Sequence, residues 1–139
     1  MVIMAIDYGD VRTGIAVCDK FEMLASPVCS IEQRKPELLI NEISALAKQY
    51  KAELFVMGLP KNMDSSEGER AQKCKAFGQA LSEATGIETV MRDERLSTVS
   101  AHNVLNTTNT RGKKRKAVVD QVAAVMILQD YLDFRKNQK

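Results

Sequence analysis

The chain has 139 residues, of which 45% are hydrophobic and 27% charged, with a formal net charge of +2. That length and balance suit one globular domain, residues 1–139, with a real core, and the charge is too small to argue for a nucleic-acid partner by itself. Met1–Ala5 lacks the basic start of a secretory leader and no stretch is long enough to cross a membrane. Cys18, Cys29 and Cys74 form no CxxC pair, so neither a zinc site nor a disulfide scaffold is suggested and a cytoplasmic setting is expected.

The apolar run Ile3–Ile6 reads as a buried strand ending on a carboxylate, Asp7. Gly9 and Gly14 are expected to turn the chain, and Ile15–Cys18 to run back as a second strand. A carboxylate at a strand end beside a glycine turn is a place where a fold can put a metal or a phosphate, because glycine lets another group approach the backbone. A third strand over Leu24–Ile31 carries Pro27, which suits a sheet edge. Pro36 opens a helix at a position where proline costs little, and Leu38, Leu39, Ile43, Leu46 and Ala47 keep helical spacing to about Tyr50.

Leu54–Met57 is a continuous apolar run, as in a strand covered on both faces. It ends at Gly58-Leu59-Pro60, and a polar loop with Lys61 and Asn62 runs to about Asp64. Ser66-x-x-Glu69 has capping-box spacing for a second helix, which ends at Gly86. Thr89–Met91 is a further strand, running into the charges Arg92-Asp93-Glu94-Arg95. A helix over Ser97 or Thr98 to about Asn106 is expected next. Thr107–Lys116, polar and basic, reads as a mobile loop. The last helix is expected over Ala117 to about Phe134, with Val118, Val122, Val125, Met126, Gln129 and Leu132 on one face, Asp120 in its first turn and a solvated tail from Arg135. The order β-β-β-α-β-α-β-α-α predicts an α/β fold: an antiparallel meander of three strands, then parallel pairing of strands one, four and five, with helices on both faces.

Sites in such sheets form outside the carboxyl ends of the parallel strands. Asp7, then Asp93 or Glu94, and Asp120 converge there on this reading. Clustered carboxylates repel one another unless a cation offsets them, and oxygen ligands suit Mg²⁺ or Mn²⁺. A pair of such ions could activate water and stabilise the leaving oxygen of a phosphodiester. Asp120 in a first turn would be kept ionised by the helix dipole. Alternation does not decide between Asp93 and Glu94; Glu94 is preferred. Arg12, Lys61 and Arg95 could meet phosphates, and Lys113, Lys114, Arg115 and Lys116 could clamp a nucleic-acid backbone. His102 is the only histidine and has no catalytic partner that can be placed.

The set Asp7-Tyr8-Gly9-x-x-Arg12-x-Gly14-x-Ala16, Gly58-Leu59-Pro60 with Asn62-Met63-Asp64 and Glu67-Gly68, Asp93-Glu94-Arg95-Leu96-Ser97-Thr98, and Asp120-Gln121-x-Ala123-Ala124 resembles the YqgF family across almost the whole chain. These small bacterial proteins are described as Holliday-junction resolvases or pre-16S rRNA nucleases. The resemblance implies an RNase H-like fold and a divalent-metal nuclease for structured RNA or DNA, with Asp7, Glu94 and Asp120 as the acidic triad. It leaves open junction DNA, which calls for a homodimer, against precursor rRNA, which brings ribosomal precursor particles as a partner. Ser65 departs from the glycine expected before the Ser-Glu-Gly turn. An ATP-binding fold of the actin and sugar-kinase type also opens on Asp-x-Gly, but needs a second such hairpin that is absent here. A non-catalytic nucleic-acid module is the remaining alternative.

Overall fold

The computed structural model describes residues 1–59, 68–93 and 112–137, with the backbone alone at position 93 and positions 112–120. Five strands form one sheet in the order β3-β2-β1-β4-β5: β1 Ile3–Asp7, β2 Arg12–Cys18, β3 Ala25–Glu32, β4 Leu54–Leu59 and β5 Thr89–Asp93. β1 pairs antiparallel with β2 and parallel with β4, β2 pairs antiparallel with β3, and β4 pairs parallel with β5. The helices are α1 Pro36–Tyr50, α2 Glu69–Thr85 and α3 Gly112–Asn137. This is the mixed sheet expected from the element order, with strands one, four and five parallel.

Strand alternation divides the core into two halves. Met4, Ile6, Ile15, Phe55 and Met57 point to α1 and α2, and meet Leu39, Ile43, Phe77 and Leu81. Ile3, Ala5, Ala16, Leu54 and Val56 point the other way, where they meet Ala124, Ile127, Leu128, Tyr131 and Leu132 of α3. β1 and β4 have core residues on both faces, which is why their sequences read as unbroken apolar runs. The α3 side is built from smaller residues at its centre. Ala5, Ala16 and Ala124 are fully buried there, which lets helix and sheet backbones come close. Pro27 lies on the edge strand β3, opposite Ala16, next to a register shift between Ile15 and Ala16. The ring therefore removes no ladder hydrogen bond from the centre of the sheet.

Several boundaries differ from expectation. β2 begins at Arg12, so Gly14 is a strand residue paired with Asp7 and not part of the turn. β4 continues through Gly58 to Leu59, and β5 to Asp93, because each finds ladder partners in the other. The N-cap of α2 is Gly68, without a side-chain cap, so the expected Ser66 capping box does not start this helix. Glu69 stands instead in its first turn, favourable at the positive end of the dipole. Gly86, at φ +74°, closes α2 in the left-handed conformation expected of it.

The largest correction concerns α3. It begins at Gly112, not Ala117. Lys113, Lys114, Arg115 and Lys116 therefore lie in its first turns and not in a mobile loop; lysine, arginine and alanine are all good helix formers. Asp120 is well inside the helix, beyond the reach of the N-terminal dipole, which fades within the first turn. The buried stripe is Ala123, Ala124, Ile127, Leu128, Tyr131 and Leu132, whereas Val122, Val125, Met126 and Gln129 are half-buried flanks. The helix ends at Asn137, and Arg135 is not a solvated tail residue. Its guanidinium bonds the Glu22 carboxylate at 2.5 Å, and Glu22 also accepts from the Met1 amino group at 3.3 Å. The helix expected from Ser97, the loop from Pro60 to Asp64 and His102 lie outside the described residues.

Arg135 donates to Glu22 and holds its carboxyl below the ordinary value, against partial burial that acts the other way, with the Met1 amino group helping. A depressed carboxyl contributes stability above its unfolded value, and that contribution is lost as pH falls through its folded value. Glu22→Gln is therefore expected to cost about 1 kcal/mol at neutral pH after solvent screening, and progressively less as pH falls through the depressed Glu22 value. Thermal melts of both proteins across this range check it: their midpoints should converge on acidification.

Candidate active site at the carboxyl edge of the sheet

Parallel register brings three strand ends level. Ile6 pairs with Met57, so Asp7 stands beside Gly58, and Gly58 pairs with Arg92. Leu59 pairs with Asp93. Asp7 is half-buried, in the alternation set of Ile3 and Ala5, and so belongs to the α3 face. Val90 packs into that same half of the core, while Met91 packs into the other.

The turn after Asp7 is held from several directions. Gly9 donates its N–H to Thr13 Oγ at 3.3 Å, and Thr13 is fully buried. A Cβ on Gly9 would collide with the Arg12 carbonyl oxygen, so glycine is required for this close approach. Gln33 N–H donates to the Val11 carbonyl at 2.9 Å and ties the turn to the end of β3. From α2, Arg70 places one Nη on Asp10 at 2.7 Å and the other on the Tyr8 carbonyl. Its guanidinium also lies 5.2 Å over the Tyr8 ring, which stacks on Phe77 at 4.2 Å and 11°. Burial pushes the Tyr8 hydroxyl up from its ordinary value; nearby Arg70 opposes this and Asp10 adds to it. A planar, permanently charged guanidinium suits this combination of carbonyl, carboxylate and ring face in a way that an ammonium does not.

The end of β5 is tied to α3. Arg92 reaches Asp130 at 2.7 Å, and its guanidinium lies 4.7 Å over the Phe134 ring. With Arg135 at Glu22 beside Met1, the C-terminal end of α3 sits at the amino end of β1. The N-terminal half of α3 therefore extends toward the carboxyl edge. Asp120 is one turn before Ala123 and Ala124, in register with the buried stripe.

Of the residues expected at the site, Asp7 is at the carboxyl edge, Asp120 is in the α3 backbone, and Arg12 opens β2 opposite Glu32. Lys113, Lys114, Arg115 and Lys116 are in the first turns of α3. Glu94, Arg95 and Lys61 lie outside the described residues. Among the described residues, no three His, Cys, Asp or Glu side chains come together to hold a metal ion. Among them too, no helix is long and apolar enough to cross a membrane. The sequence does not single out Arg70, Thr13 or Phe77 for this site. Arg70 is remote along the chain from the turn that it holds, and no local spacing signals that interaction.

The profile of the family described as "RuvX: Holliday junction resolvase" matches residues 1–134. The chain belongs to this family. A relative from Agathobacter rectalis, named "Putative pre-16S rRNA nuclease", is 39% identical over 142 residues and covers 100% of this chain and 99% of its own. One of the same name from Halothermothrix orenii is 43% identical over 135 residues, covering 97% and 96%. Two solved structures share the RNase H-like fold of this RuvX-family chain. Thermus thermophilus RuvC with a Holliday junction substrate superposes with a TM-score of 0.63 at 11% identity over 99% of this chain and 96% of that one. The fowlpox virus Holliday junction resolvase gives 0.55 at 13% identity, covering 96% and 99%. The resemblance read from the motifs is thus borne out, and so is the fold.

The ties around Tyr8–Val11 set the position of Asp7. Arg70→Ala removes both hydrogen bonds and the ring interaction, and is expected to cost about 1–3 kcal/mol. Arg70→Lys should recover only part of this stability. Denaturant unfolding of the three proteins provides the check.

Proposed function

We propose that this protein is a divalent-metal-dependent endonuclease acting on structured nucleic acid, and that its substrate is the 5′ end of precursor 16S rRNA. The observation that carries the reading is the level carboxyl edge, where Asp7 ends the central strand of an RNase H-like sheet beside the ends of β4 and β5. The names of the full-length relatives favour the rRNA substrate. This activity belongs with ribosomal precursor particles in the cytoplasm and needs no membrane.

Asp7, Glu94 and Asp120 are proposed as the catalytic carboxylates and as ligands for Mg²⁺ or Mn²⁺. The donor chemistry fits, since each offers only carboxylate oxygen, which hard divalent cations prefer. Val90 shares the α3 half of the core with the face of Asp7, which puts β5 beside that face; Glu94 is taken over Asp93 because the motif resemblance implies it. The register of Asp120 with the buried stripe of α3 supports the third member. When bound, a divalent cation would offset the charges of carboxylates and phosphodiester and make a water more acidic.

The chain's own residues supply binding and orientation. The Gly9 turn and the Arg70 clamp hold the segment that follows Asp7, so the backbone at this strand end is preorganised. Arg12, Lys61 and Arg95 are proposed to meet phosphates near the scissile bond. Lys113, Lys114, Arg115 and Lys116 are proposed to meet the backbone farther away. These four cations occupy the positive end of α3, where like charge is unfavourable to the helix dipole. An arriving phosphate would relieve that repulsion.

A second reading is resolution of a four-way DNA junction by a homodimer, which the family description favours. Symmetric paired cuts require two sites related by a two-fold axis. Cleavage of a precursor rRNA fragment and of a four-way junction, compared with Mg²⁺ and Mn²⁺, separates the readings. RNA cleavage is expected. Asp7→Asn should lower it by more than about 100-fold, the upper end of effects seen when a metal site loses even an indirect support. Unchanged cleavage in that variant would remove Asp7 from the site.

Neutralising Lys113, Lys114, Arg115 and Lys116 together should weaken binding across sequences and flatten its salt dependence, by about 1 unit of slope for each phosphate that the protein no longer neutralises. Titrations at several salt concentrations measure that slope.

A further inference from the structure

A cleft of about 450 Å³ opens between α1 and α2 at the same carboxyl edge. This lies within the roughly 300–1,000 Å³ range of sites that take small organic groups. Its wall begins with Tyr8, the residue after Asp7, and continues with Phe77, against which the Tyr8 ring is stacked. Ile40 of α1 lines it from one side, and Ala76 and Ala80, successive turns of α2, from the other. Both alanines are exposed, so the groove is open along the helix. Arg34 and Lys73 are exposed lining residues, and the lining carboxylate, Asp10, is bonded by Arg70.

We infer that this cleft seats one unpaired nucleotide of the nucleic-acid substrate. The inference rests on the nuclease reading and extends it to the class of structure cut. Three properties coincide. Apart from its charged members the lining is apolar, and the small alanines leave room for a flat ring against Pro36 and Ile40, the Tyr8 ring being already stacked on Phe77 beneath Arg70. Two cations accompany it, while the acidic member already has a cation on it, so the charge that the cleft complements is anionic. Its Tyr8 wall directly follows Asp7 in sequence, so the cleft opens at the same rim as the carboxylate, on the other face of the sheet. A base paired inside a duplex cannot enter such a cleft, whereas a bulged, looped or strand-end base can, at a modest cost in unstacking. On this view, the enzyme prefers a substrate with an unpaired base near the cut.

The test uses binding without divalent metal, in the presence of EDTA. The probes are a short RNA duplex with one bulged 2-aminopurine and the same duplex fully paired. The wild-type protein should bind the bulged probe about tenfold more tightly, with a change in aminopurine emission as the base leaves its neighbours. Ala76→Glu, at an exposed helical position, should abolish the preference and the emission change. Lys73→Ala should weaken both. Equal affinity of the wild type for the two probes overturns the inference, as does a preference unchanged in Ala76→Glu. An equal weakening on both probes also overturns it, because the cleft would then be meeting backbone alone. Cleavage with Mn²⁺ is assayed separately, against Asp7→Asn. A bulge preference abolished by Ala76→Glu, in a protein that cuts nothing, supports the cleft while sinking the nuclease reading. Cutting without any bulge preference does the reverse.

Discussion

Parallel pairing of β1 with β4, and of β4 with β5, is the constraint on which the rest of the molecule depends. In a parallel ladder the chain must leave each strand at the same edge and return by a crossover, here α1 and α2. The ends of β1, β4 and β5 are thereby delivered to one rim. Asp7, Gly58 and Arg92 come level because of the register, not because of any interaction among their side chains. That rim is also where backbone groups leave the ladder, so polar residues there lose nothing by being polar.

The two faces of the sheet serve this rim differently. The α1 and α2 face carries the bulk of the large side chains, Phe55, Met57, Leu39 and Phe77 among them. It presents Arg70 and Phe77 to the β1–β2 turn, and so fixes the residue that ends β1. The α3 face is lined at its centre by alanine, which brings that helix close to the strands. Arg92 with Asp130 and Arg135 with Glu22 then tie α3 to both ends of the sheet. Each pair is partly exposed and adds little stability alone. Their value is positional, because they fix which way the helix runs and therefore which end of it approaches the rim.

Much of this is legible in the residues. The strand Ile3–Asp7, the proline-led helix from Pro36 and the stop at Gly86 each follow from local rules that the tertiary structure leaves intact. Asp7 stands out because an apolar run, a carboxylate and a glycine turn are adjacent in the chain. The start of α3 is misleading in the sequence because four cations in a row suggest solvated loop, whereas the same residues propagate a helix whose later turns, from Ala123 onward, are packed on the sheet. Its buried stripe misleads for a related reason. Valine and methionine are more hydrophobic than alanine, but proximity to Ala5 and Ala16 favours the smaller side chain. The motifs from Glu94 to Thr98 and around Asn62 carry the family resemblance, and the match over residues 1–134 agrees with it.

The sequence by itself determined the order of the described elements, the parallel centre of the sheet, the family and the carboxylate at the end of β1. Those features follow from hydrophobic periodicity, from glycine and proline stereochemistry and from motifs that are contiguous along the chain. Only the tertiary structure decided that Arg70 clamps the turn behind Asp7, that Arg135 is held by Glu22, and that a cleft opens between α1 and α2. The residues that meet in each of these places are far apart in sequence. No local propensity links them, and their meeting depends on how helices pack across a sheet whose register is already set.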